Sequence, residues 1–134
     1  MKRRFEESEL ILNADGAVYH LSCKPGDIAE NIIVVGDPKR VSSVSKYFDT
    51  IDFTMENREL ITHTGRLNGK RITALSTGMG PSNIDIVMNE LDALFNIGLK
   101  ERVVKENRRS LNIIRIGTSG SLQQDIPVDS FCMA

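Results

Sequence analysis

The chain has 134 residues, 40% of them hydrophobic and 26% charged, with a net charge of −1, the profile of one soluble globular domain or a large piece of one. That balance excludes a global basic field directed at nucleic acid or an anionic membrane, and no apolar run reaches the roughly 18 residues that cross a bilayer. MKRRFEESEL lacks the apolar stretch of a secretory signal, and Cys23 and Cys132 form no CxxC pair, so a reducing cytoplasm is the expected compartment.

Taken in chain order, residues 1–15 are polar and read as a peripheral arm. Ile32-Ile33-Val34-Val35 is a short apolar strand that runs into Gly36-Asp37-Pro38. Proline suits the first turn of a helix and aspartate caps one, so residues 38–48 are expected to be helical. Residues 50–77 read as an antiparallel set, because Asn68-Gly69 is a favoured pair for a two-residue type I′ hairpin. Ile72, Ala74 and Leu75 begin the strand that heads inward. After Gly78-Met79-Gly80, Pro81 opens a helix whose apolar positions Ile84, Val87, Leu91, Leu94 and Ile97 recur at helical spacing. Asp85, Asn89 and Asp92 fall on its other side. Residues 100–109 are dense in charge and read as a solvated helical excursion. Glu101 and Glu106 interrupt its cations and no aromatics are interleaved, which weighs against a nucleic-acid patch. Residues 111–117 return as a buried strand, and residues 128–133 read as another. The alternation predicts α/β architecture, a mixed central sheet flanked by helices, in a single domain without repeats or linkers.

Three strand ends carry glycine-rich turns: Gly36-Asp37-Pro38, Gly78-Met79-Gly80 and Gly117-Thr118-Ser119-Gly120. In open α/β sheets, ligands bind beyond the carboxyl ends of strands, where helix N-termini offer unpaired N–H groups. Neither phosphate fingerprint is complete: GxxxxGK[ST] is absent, and Gly78-x-Gly80 lacks the third glycine of a dinucleotide loop. Glycine also serves such connections for geometry alone. Arginine adds the chemistry, since a guanidinium clamps a phosphate through two N–H groups. Arg40 lies one helical turn beyond the first glycine turn, and Arg58 lies in a strand near Thr54 and Thr62. Taken singly, each reads as a solvated surface cation. Arg115 differs, because Ile113, Ile114 and Ile116 predict burial around it. A buried charge needs a partner, either a phosphate or the carboxylates of Asp37 or Glu59.

Gly36-Asp37-Pro38-Lys39-Arg40-Val41, Ser76-Thr77-Gly78-Met79-Gly80 and Arg115-Ile116-Gly117-Thr118-Ser119-Gly120 stand in the order of three signatures of the nucleoside phosphorylase family. NREL…GRLNGKRI falls between the first two as that family's arginine-bearing hairpin. Over roughly residues 18–134 the chain resembles this family, which includes uridine phosphorylases and hexameric purine nucleoside phosphorylases. GTSGSLQ is more similar to the uridine-cleaving branch; the purine branch usually carries a cysteine in that turn. The resemblance implies that Gly36 and Arg40 hold inorganic phosphate, that Arg115 and Thr118 complete the pocket, and that Arg58 reaches the phosphate of a neighbouring subunit. It further implies that His20 crosses a dimer interface to a ribose hydroxyl, that Thr118 also approaches the ribose, and that Ser119 and Gly120 line the base pocket. Glu59 resembles a ligand of the monovalent cation found in some members. Asn83 stands where a serine is usual, so no metal site is assigned. Pro81-Ser82 follows Gly80 one position earlier than in the common family pattern, and the charged excursion before Arg115 is longer than in compact members.

The activity implied by this resemblance is phosphorolysis of a nucleoside, uridine for preference, to free base and ribose 1-phosphate. Inorganic phosphate is then the co-substrate, and neither a metal nor an organic cofactor is expected. The implied partners are the nucleoside, phosphate and further copies of the chain, with a dimer as the minimal active unit and a hexamer as the larger assembly. Neither nucleic acid nor membrane is an expected partner. Family members run to about twice this length, so residues 1–134 are expected to be the N-terminal part of a single, apparently truncated domain. A purine nucleoside phosphorylase is one alternative. A non-catalytic module that binds phosphate or a nucleotide, or mediates oligomerisation, is the other.

Overall fold

The computed structural model describes residues 3–134. In chain order the elements are β1 (Asn31–Val35), α1 (Lys39–Ser45), β2 (Thr50–Asn57), β3 (Leu60–Leu67), β4 (Lys70–Ser76), α2 (Pro81–Asn96), β5 (Ile97–Gly98), β6 (Val103–Val104) and β7 (Asn112–Ile116). Five of the strands form one sheet in the order β2-β3-β4-β1-β7. β1 pairs in parallel with β4 and β7, whereas β2, β3 and β4 form an antiparallel meander. The sheet is therefore mixed, as the sequence pattern predicts. Asn68 and Gly69 join β3 to β4 with φ of 50° and 76°, the two left-handed positions that a type I′ turn demands.

Alternation along the central strands divides the core between two faces. Ile32 and Val34 of β1 and Leu75 of β4 face a large cluster with Val87, Leu91 and Leu94 of α2. Val35 and Ala74 face the opposite side, against Val41 of α1 and the half-buried Val44, Phe48 and Ile61. Helices thus cover both faces of the sheet. Two interior threonines pair with each other: the Thr64 and Thr73 hydroxyls lie 2.8 Å apart, and Thr73 Oγ1 also accepts the Ala29 N–H at 2.8 Å, whereas the buried Thr62 hydroxyl has no hydrogen-bond partner among the described residues.

Four expectations are corrected. The N-terminal arm is not merely peripheral, since Leu10 is buried and Phe5 and Leu12 pack on the main core. α1 ends at Ser45, short of the expected residue 48, and the chain continues through turns that place Phe48 against the second cluster. Residues 100–109 form no helix. They turn back through β6, which pairs with β5, and tie down the end of α2. Lys105 Nζ donates to the Phe95 carbonyl at 3.0 Å, and the Arg109 N–H donates to Asn96 Oδ1 at 2.7 Å. Carbonyls at the end of a helix have no partner within it, and a cation there is favoured. Finally, residues 128–133 form no strand.

Candidate functional site

Strand pairing assembles the site. In the parallel registers Val35 stands level with both Ser76 and Ile116. The three strands therefore end together, and the turns at Gly36, Gly78 and Gly117 open on one edge of the sheet. β3 runs antiparallel to β4, with Thr62 opposite Leu75, so the β2–β3 turn carrying Arg58 and Glu59 reaches the same edge. α1 also starts there, which puts Arg40 in its first turn. Asp37 shapes that entry by accepting the Lys39 N–H at 2.9 Å, and the Arg40 N–H donates to the Asp37 carbonyl at 3.0 Å.

Arg115 lies across this edge. A Cβ built on Gly36 would stand 3.6 Å from the Gly78 carbonyl oxygen and 3.9 Å from Arg115 Nη2. One built on Gly117 would stand 2.5 Å from Arg115 Nη1. The guanidinium therefore lies close against Gly117, where a side chain would displace it, and within ordinary contact distance of a Cβ at Gly36. Among the described residues Arg115 makes no ion pair, so neither Asp37 nor Glu59 neutralises it. A guanidinium resting against glycine backbone, with no carboxylate partner, suits an oxyanion. The expected burial of its strand is not found: Ile113, Ile114 and Ile116 are 38%, 64% and 47% exposed. β7 is the end strand of the sheet, bonded only to β1, and no helix of the described residues covers it.

A second group flanks the first. Glu59 Oε1 accepts the Asn83 side-chain amide at 2.9 Å. Its carboxyl is held below the usual carboxylate range by its own backbone N–H first and then by Asn83, with the charges of Arg58 and His20 adding to the effect. Arg58 is not in a strand. It occupies the β2–β3 turn at φ 56°, exposed to solvent. Gly78, at φ 68°, brings the β4 turn against this group: a Cβ there would stand 2.6 Å from Asn83 Nδ2 and 2.7 Å from Glu59 Cγ.

His20 is fixed from two directions. Asn57 Nδ2 donates to the His20 carbonyl at 2.8 Å, and Glu90 of α2 accepts His20 Nδ1 at 2.8 Å. The same carboxylate accepts the backbone N–H groups of His20 and Leu21, at 2.8 and 2.7 Å. Sequence reasoning missed both supports. Glu90 did leave a signal, an acidic residue between Val87 and Leu91, beside the apolar stripe of α2. Asn57 left none, because its role depends on a loop distant in sequence.

Gly36, Gly78, Gly117 and Arg115 are thus brought together, with Arg40, Arg58 and His20 around the same sheet edge. Thr118, Ser119 and Gly120 are not joined to them by any hydrogen bond among the described residues; they lie exposed in an irregular segment. Cys23 is no nucleophile, since burial first and the Asp27 charge second push its thiol up to about 12, while Sγ donates to the Leu21 carbonyl. Among the described residues no cluster of His, Cys, Asp or Glu is arranged to hold a metal ion, and no helix is long and apolar enough to cross a membrane.

Comparison with known proteins follows the same lines. The chain is 33% identical over its whole length to a uridine phosphorylase of Thermococcus kodakarensis, covering 43% of that protein. It is 36% identical over 117 residues, 86% of the chain, to a DeoD-type purine nucleoside phosphorylase of Streptococcus suis, covering 44% of that protein. The chain therefore spans less than half the length of these curated relatives. Among solved structures, a Trypanosoma brucei nucleoside phosphorylase described as showing uridine phosphorylase activity superposes with a TM-score of 0.79 at 36% identity, over 88% of this chain and 41% of that one. The Toxoplasma gondii purine nucleoside phosphorylase in complex with immucillin-H superposes with a TM-score of 0.66 at 25% identity, over 86% and 41%. Residues 30–134, which carry all three glycine turns and Arg115, match the family described as the Phosphorylase superfamily, and the chain belongs to it.

Proposed function

We propose that this chain supplies the phosphate-binding half of a nucleoside phosphorylase site, and that the protein containing it converts uridine and inorganic phosphate to uracil and ribose 1-phosphate. One observation carries the reading: three parallel strand ends deliver Gly36, Gly78 and Gly117 around an Arg115 guanidinium that has no carboxylate partner.

In the reaction a phosphate oxygen forms a bond to the anomeric carbon as the bond from that carbon to the base nitrogen breaks. The bonding pair leaves into the base, which takes up a proton. The sugar passes through a cationic state, so the enzyme must hold an anion beneath it in fixed orientation. Positioning and electrostatics do most of this work. Arg115 and Arg40 clamp the phosphate, with Gly36 and Thr118 completing its seat, while Arg58 serves the phosphate of a neighbouring copy. His20 meets a ribose hydroxyl across that same contact, Thr118 approaches the ribose, and Ser119 and Gly120 line the base pocket. A nucleosidase that uses water has no need of the phosphate arginines, which favours phosphorolysis over hydrolysis. The chemistry requires no metal or organic cofactor. A homo-oligomer in the cytoplasm, with a dimer as the smallest active unit, is part of the same proposal.

Uridine is preferred over a purine nucleoside because of GTSGSLQ at the third turn and because the Thermococcus kodakarensis similarity extends over the whole chain. Uridine, thymidine, inosine and adenosine are each incubated with inorganic phosphate and the full-length gene product. Uracil and ribose 1-phosphate are expected from uridine; faster release from inosine or adenosine moves the protein to the purine branch. No phosphate-dependent release from any of the four overturns the proposal.

A further inference from the structure

We infer that Glu90 is a positioning residue for His20, selecting the imidazole tautomer whose Nε2 carries a lone pair. The inference rests on the proposed reading of His20 as a ribose contact.

Three observations carry it. First, Glu90 projects beside the apolar stripe of α2, and its side chain is only 12% exposed. A carboxylate there is costly unless its oxygens are satisfied. Among the described residues they are satisfied by one segment: the His20 N–H, the Leu21 N–H and His20 Nδ1. Second, a carboxylate only accepts hydrogen bonds, so Nδ1 must be the donor to it. In the neutral ring the proton then resides on Nδ1, and Nε2 becomes an acceptor suited to a hydroxyl donor. Third, the loop that carries His20 is braced on both sides. Val18, Leu21 and Cys23 are buried, the Val18 N–H donates to the Cys23 carbonyl at 3.0 Å, and Asn57 holds the His20 carbonyl. The imidazole itself, packed edge-on to Tyr19 at 4.9 Å between ring centroids, stays half-buried at the tip. The loop is packed and hydrogen-bonded at its base, and with Nδ1 engaged by Glu90 it leaves Nε2 for a ligand.

A purely structural carboxylate would need the two backbone N–H groups and would be indifferent to the ring. The two roles separate in experiment. Nitrogen-15 NMR of the neutral imidazole in the unmodified full-length protein is expected to show the proton on Nδ1. A proton on Nε2 overturns the inference without any substitution. In kinetics, Glu90→Gln keeps a carbonyl oxygen for the backbone N–H groups and removes one acceptor. It is expected to raise the nucleoside KM about fivefold to tenfold, the size of one lost hydrogen bond, with kcat much less affected. His20→Ala is expected to raise KM at least as much, and the double variant no more than His20→Ala alone. An additive double variant, or a silent Glu90→Gln beside a defective His20→Ala, overturns the inference. A silent His20→Ala instead refutes the ribose role of His20, and the NMR tautomer then decides the positioning role alone.

Discussion

At the residue scale, Arg115 shows how the setting of a charge matters more than its burial. Its strand is exposed, yet the guanidinium rests against the backbone at Gly117 and beside Gly36. Arg115→Ala is expected to raise the phosphate KM at least about tenfold, the loss of a charge-assisted contact, and Arg115→Lys to recover only part of it. Because the residue is exposed, the melting temperature should change little; a phosphate titration at saturating nucleoside beside a thermal melt checks both halves. His63 supplies a different kind of test. Ser45 Oγ lies 2.8 Å from its Nδ1, and burial lowers its pKa below the ordinary 6.5, outweighing the nearby Glu56 charge. The unfolded chain therefore binds this proton at higher pH than the folded chain does. The stability tied to neutral His63 is full above its unfolded value and declines as pH falls below about 6.5. Thermal melts at pH 7.5 and 5.5 should show a smaller difference for His63→Gln than for the unmodified chain, and an equal difference refutes the assignment.

At the scale of elements, the β2–β3 hairpin holds Arg58 and Glu59 at the site edge, and its closest packing is at Gly65. A Cβ there would stand 2.0 Å from the Thr50 carbonyl oxygen and 2.9 Å from Phe48 Cδ2. Backbone cannot yield as a side-chain tip does, so Gly65→Ala is expected to cost about 2–3 kcal/mol. Gly69→Ala meets nothing within 4 Å and suffers only from its φ of 76°, at about 1 kcal/mol. Urea denaturation of the two variants ranks them, and a Gly69 variant less stable than the Gly65 variant contradicts this packing. The charged stretch teaches the complementary lesson. Its residues read as a solvated helix on composition, but the unpaired carbonyls ending α2 recruit Lys105, and Asn96 binds the backbone at Arg109. A tertiary demand for donors overrides local preference there.

At the scale of the whole molecule, β7 leaves apolar surface open. Ile114 is 64% exposed, and Val128, Phe131 and Met133 stand almost fully in solvent. Large apolar side chains left in solvent favour association, and an unpaired strand edge invites pairing. The 134-residue chain by itself is therefore expected to self-associate in sedimentation velocity at micromolar concentration, and Ile114→Lys to shift the distribution toward smaller species. A sharp monomer for the unmodified chain refutes this.

The sequence by itself determined the period of each main element and the chemistry at the strand ends. Alternation and helical spacing are local, and glycine, proline and Asn68-Gly69 act within a few residues, so β1, β4, α2 and the type I′ turn were legible. The order of the glycine turns and the residue types Arg40, Arg58 and Arg115 pointed to the proposed anion site for the same reason. Only the tertiary structure decided which groups meet. Val35, Ser76 and Ile116 come level through strand register, a long-range property that no window of sequence contains. Glu90 finds His20 across 70 residues. Ile113, Ile114 and Ile116 have the composition of a buried strand, yet burial is conferred by neighbours, and among the described residues β7 has one strand beside it and no helix packed over it.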